Sequence, residues 1–158
     1  MKILKSTVSM FFILLSMSAF SGEKTEDIRA QVEVQLLRCV GDGFPRNCWI
    51  KTFSGKIVPW LAGREQQVLS AGEEHWLDWL SGGSVFGVYK LDAIQKAQIF
   101  DSRSYIVERA DGEVAGLIVG FRRVAGKWYV SDIQSDNTKA FLDRILDMHQ
   151  LDSIPKSR

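Results

Sequence analysis

The dipeptide Asp111-Gly112 constrains the fold of this chain more than any other feature. Ala110-Asp111-Gly112-Glu113 reads as a hairpin turn, because Asp-Gly between two apolar strands is the strongest short-range hairpin signal. Here the pair stands between two apolar runs, residues 102–109 and 114–124, which are therefore adjacent antiparallel strands. In the first run Tyr105 and Val107 alternate with Ile106. The second is apolar on both faces and contains Gly116 and Gly120, and glycines inside a strand mark bulges or bends. Ala125-Gly126 turns the chain again into a strand over residues 127–133. Upstream, residues 85–91 and 93–100 read as two more strands. The sum is an antiparallel meander bent at its glycines.

Helical patterns flank the meander. Residues 25–40 place Ile28, Val32 and Leu36 on one face, with Thr25 as N-cap, Glu26 and Asp27 in the first turn and Gly41 at the end. Residues 49–61 are strongly apolar but broken by Gly55 and Pro59, which suggests a short helical turn and a packed connection. A further element starts near Arg64. Ser70 and Glu73 have capping-box spacing ahead of Trp76, Leu77, Trp79 and Leu80, and Ser81-Gly82-Gly83-Ser84 ends that helix. Residues 135–150 form an amphipathic helix with Phe141, Ile145 and Met148 inward and Asp143, Arg144 and Asp147 outward. The fold class is α+β: N-terminal helices packed on a strongly curved antiparallel sheet, plus a C-terminal helix.

The first 21 residues read as a cleavable secretory signal. Lys2 and Lys5 form a basic start, residues 8–15 are almost unbroken apolar, and Ala19 and Ser21 are small residues at the positions a signal peptidase reads. The run is too short to span a bilayer, which takes roughly 20 apolar residues. Cleavage near Ser21 leaves one domain over residues 22–151 and a frayed tail over 152–158. It also leaves 18 basic against 19 acidic residues, so the net charge moves from +1 to −1. A near-neutral surface argues against nucleic-acid binding, and no stable membrane insertion is expected after cleavage. In an oxidising compartment Cys39 and Cys48 pair, across a loop rich in turn formers. The competing reading, a redox-active pair, lacks C-x-x-C spacing and a basic residue placed to lower a thiol pKa.

Recognisable chemistry is sparse. His75 and His149 stand far apart without a metal-ligand motif, no nucleophile elbow or phosphate loop is present, and no cofactor is expected. Strict alternation puts Trp128, Val130 and Asp132 on one face of the last strand, and Tyr105, Val107 and Arg109 on one face of an earlier one. Asp132 and Tyr105 are thereby candidates to meet as an acid–base pair, since an apolar pocket raises a carboxyl pKa. Arg122-Arg123 must send one guanidinium to each face. Trp76, Trp79, Arg122 and Trp128 are the candidate binding residues.

Helices followed by a curved meander resemble the nuclear-transport-factor-2-like superfamily, the cone-shaped α+β fold also called cystatin-like. Ala62-Gly63-Arg64-Glu65 ahead of the helix through Trp76, the hairpin at Asp111-Gly112 and Gly126-Lys127-Trp128-Tyr129-Val130 carry the resemblance, which covers residues 25–133. It implies a cone enclosing a pocket that different members use for isomerisation, dehydration, ligand binding or protein contacts, so fold does not decide function. The disulfide-closed loop and the C-terminal helix depart from the usual pattern. That helix would either plug the cone mouth or pack a homodimer interface. The expectation is an exported, non-catalytic binding protein for a protein partner, of immunity or inhibitor type, or for an apolar small molecule. The alternative is an isomerase- or dehydratase-type enzyme using Tyr105 and Asp132.

Overall fold

A computed structural model describes residues 27–91 and 94–153. The expected signal segment over residues 1–21 and residues 154–158 lie outside them, as do Thr25 and Glu26. Helix α1, Ile28–Gly41, is capped by Asp27, whose carboxylate accepts from the Arg29 amide at 2.9 Å. Asp27 thus takes the capping role expected of Thr25, satisfying an amide the helix leaves free. The loop after α1 returns to α2, Cys48–Phe53, and Cys39 and Cys48 are joined with their Cα atoms 5.6 Å apart. Cys39 is fully buried, so the disulfide is both staple and core. Reducing it should lower the unfolding free energy by about 2–3 kcal/mol, by the chain-entropy account of a short closed loop. Urea unfolding with and without reductant checks this, and coincident curves would contradict it.

A 3-10 helix, Pro59–Arg64, runs directly into α3, Glu65–Leu80. The expected capping box at Ser70 and Glu73 therefore lies inside α3 and caps nothing. Gly72 is there for packing: a Cβ on it would sit 2.7 Å from Nε1 of Trp49.

The strands are β1 (Val85–Lys90), β2 (Ile94–Ala97), β3 (Phe100–Arg109), β4 (Val114–Val124) and β5 (Lys127–Asp136). They form one open, curved antiparallel sheet in the order β1-β3-β4-β5, with β2 pairing the start of β3. Both turns form where expected. Gly112 has φ of 87°, and Ala125 and Gly126 have φ of 48° and 83°. The expected strand over 93–100 divides into β2 and the start of β3. β5 extends past 133, so the last helix, α4, begins at Lys139 and runs to Ser153.

Register assigns each residue a face. Tyr105, Val107, Leu117, Val119, Phe121 and Val130 point to the inner face, where α1, α2 and α3 pack. Ile106, Gly116 and Ile118 point outward, where Phe141 and Ile145 of α4 cover them. The C-terminal helix therefore backs the sheet and does not enter the cone. Its close approach requires Gly116, since a Cβ there would lie 2.4 Å from Cδ1 of Ile145. Gly116→Val should cost about 2–3 kcal/mol by overpacking and should loosen α4 selectively. Amide exchange reads this residue by residue, and unchanged protection across α4 would contradict the packing.

Candidate functional site

The inner face is filled. Trp49 packs on Phe53 at 4.8 Å between ring centroids, on Phe44 at 5.9 Å and on Trp76 at 6.1 Å. Trp76 is thus core and not a binding anchor, because its ring is buried among three others. Trp79 is half-buried under Arg109, whose guanidinium lies 5.2 Å from its ring and donates to its backbone carbonyl at 2.5 Å. Gly82 leaves room for that arginine: a Cβ would fall 2.4 Å from its Nη1.

Beside the aromatic cluster runs a chain of alternating charges. Arg29 binds Asp27 and, at 3.0 Å, Asp101; Arg103 pairs with Glu33 and lies 3.8 Å from Asp101; Lys90 also pairs with Glu33. Arg29 stacks over Trp128 at 4.3 Å, so that half-buried tryptophan is held from within the molecule. The Arg29 side chain holds the Asp27 carboxyl below its ordinary range. Burial acts to raise the Glu33 carboxyl, but hydrogen bonds from Lys90 and Arg103 outweigh it and hold it low. Tyr105, beneath this chain, has its hydroxyl pushed well up by burial and by the Glu33 charge. Every acid in the chain faces a base, so its role is to tie α1 to β3.

The proposed pairing of Asp132 with Tyr105 does not form. Val130 stands opposite Phe121, but Asp132 stands opposite Gly120, so Ser131 is an extra residue, a β-bulge. A bulge reverses the alternation beyond it. Val130 is inward and buried while Asp132 is outward and exposed, on the opposite face of the sheet from Tyr105.

The outer face carries a different constellation. Beyond the part that α4 covers, register sets Phe100 opposite Arg122, and Arg122 opposite Tyr129. The Arg122 guanidinium lies 5.2 Å from the Trp60 ring and 5.3 Å from the Phe100 ring. Both rings are exposed, Trp60 at 57% and Phe100 at 41%. Next to them, Gly120 leaves a cleft of about 280 Å³ between Phe100, Ser102 and Asp132. Along the β5 edge a second, apolar groove of about 110 Å³ is walled by Ile57, Leu61, Val68 and Ile133. The two hollows share Ser131 and Asp132, so the bulge joins them.

Of the residues expected from sequence, Arg122 and Asp132 lie at this surface with open side chains. Trp60 and Phe100 were missed, though Phe100 had a signal. Counting back from the Asp111-Gly112 turn, the Glu108–Val114 pair leads step by step to Phe100 opposite Arg122. Among the described residues no cluster of His, Cys, Asp or Glu is suited to a metal ion. No protein-family model, curated protein or solved structure matches this chain.

Proposed function

We propose that this chain is an exported, non-catalytic binding protein of the nuclear-transport-factor-2-like type, and that it recognises a protein partner on its outer sheet face. The observation that carries the reading is the exposed Trp60–Arg122–Phe100 stack beside the two joined hollows. Tryptophan and arginine at the centre of a patch are the residue types on which protein interfaces concentrate their energy. The helices-then-meander order and the two hairpins support the superfamily reading. The disulfide, and the lack of any described helix long and apolar enough to cross a membrane, fit export to an oxidising compartment.

The other readings have less to stand on. Both hollows fall below the 300–1,000 Å³ typical of small-molecule sites. The inner cone, where an apolar ligand would sit, is occupied by aromatic side chains. An enzyme using Tyr105 and Asp132 would need them on one face of the sheet. A homodimer through α4 would need the apolar stripe that Phe141 and Ile145 bury on their own sheet.

The tagged chain, passed over the extracytoplasmic fraction of its own cells, should retain a partner that Trp60→Ala loses by at least about tenfold, the scale of a tryptophan hot spot. Phe86→Ala, at the opposite edge strand and also exposed, should retain it fully. Equal retention by the Trp60 variant would move the interface elsewhere.

A further inference from the structure

Resting on that reading, we infer that the partner presents an acidic side chain to Arg122, with apolar residues beside it that enter the groove along β5. Arg29, Arg103 and Arg109 all pair with carboxylates inside the molecule, whereas among the described residues no carboxylate pairs with Arg122. Its guanidinium is exposed and lies 5.2 Å from the Trp60 ring and 5.3 Å from the Phe100 ring. An exposed guanidinium beside aromatic faces is suited to a carboxylate, which it can grip with two N–H groups.

The surroundings repeat the sign. Lys127 lies on the same hairpin and the same face as Arg122, exposed and without a carboxylate partner among the described residues, while Arg123 is sent to the opposite face. Residues 122–127 contain three cations and no acid. The hairpin at the other end of β4 differs, since there Arg109 is neutralised by Asp111. Asp101 and Asp132 line the cleft, Glu65 and Asp132 line the groove, and Asp132 accepts from Gln134, whereas Arg122 stands outside both hollows; the partner's acid therefore belongs at the guanidinium and only its apolar residues in the groove. An anionic lipid surface would also be attracted, but headgroup binding draws on clusters of about four to eight cations, and a bilayer does not enter a groove. Charge complementarity together with the apolar groove favours an acidic protein segment.

The test uses the full disulfide-bonded chain and a phage-displayed library of random 12-residue peptides. Enriched peptides should carry Asp or Glu close to a Leu or an aromatic residue. The best of them, made synthetically and followed by fluorescence polarisation, should bind about tenfold or more weakly to Arg122→Ala, the scale of one charge-assisted pair. Replacing its acid by the amide should cost a similar factor, and the two changes together should cost scarcely more than either alone. Affinity should fall as salt rises. Because Arg122 is exposed, its variant should melt with the wild type; the amide peptide tests the same contact without altering the protein.

Enriched peptides lacking an acid, or binding indifferent to the amide swap, overturn the inference. If Trp60→Ala still weakens such binding, the docking surface stands and only the acid is lost. If neither Trp60→Ala nor Arg122→Ala has an effect, or no peptide is enriched, the surface itself fails. Sedimentation with 3:1 phosphatidylcholine–phosphatidylserine vesicles that Arg122→Ala abolishes would replace the protein segment by a membrane.

Discussion

Trp49→Ala should lower the unfolding free energy by about 4 kcal/mol, the cost of emptying a buried indole site. Trp60→Ala should change it by less than about 0.5 kcal/mol, as surface truncations do. The contrast follows from environment alone. Trp49 is 2% exposed, lies among Phe44, Phe53 and Trp76, and fits against the bare backbone of Gly72. Helices α1, α2 and α3 close on the inner sheet face through this cluster, so the loss should take a large part of a stability that is commonly 5–15 kcal/mol. Urea unfolding of the two variants reads both numbers. A Trp60 variant as unstable as the Trp49 variant would mean that the outer patch is structural, and the binding account would lose its anchor.

Asp101→Asn should cost about 3 kcal/mol, the scale of breaking a buried ion pair. Asp101 is nearly enclosed, with its side chain 4% exposed, and it is the link between Arg29 on α1 and Arg103 on β3. The amide would bring an N–H group against a guanidinium and leave both arginines undercompensated. The same chain makes stability pH-dependent. Asp27 and Glu33 are held below their ordinary values, so each protonates more readily in the unfolded chain than in the folded one. Their contribution is present above the ordinary carboxylate range, about pH 4, and is lost as pH falls below it. Urea midpoints should therefore hold from pH 7 to 5 and drop steeply toward pH 3, with a shallower drop for Glu33→Gln. A Glu33→Gln profile parallel to the wild type would remove that carboxylate from the chain.

Local signals were legible in the sequence. Gly112, Ala125 and Gly126 take the positive φ their turns need, and the stripes Val32–Leu36 in α1 and Phe141–Ile145 in α4 are buried as their spacing implies. What escaped was non-local or turned on a single residue. The capping box at Ser70 was overridden because the 3-10 helix delivers an already helical backbone at Arg64. One inserted residue, Ser131, sent Asp132 to the outer face, and a period-two reading has no means to see it without pairing. Gly120, opposite Asp132 at that bulge, was its only local sign. The ion chain joins residues 27–33 to residues 90–103, and no spacing rule connects positions so far apart. Trp60 lay in a connection whose conformation the pattern left open, so its exposure beside Arg122 could not be read in advance.

If this protein works from its outer sheet face while its inner face is closed, a crosslinker in the outer patch will capture its partner. Placing the photo-crosslinking residue benzoylphenylalanine at position 60, and separately at position 86, tests it in the cells that make the protein. Irradiation should give a discrete crosslinked species from position 60 that disappears when Arg122→Ala is added, and none from position 86. Crosslinking from position 86 alone, or a position-60 product that is indifferent to Arg122, would contradict the account.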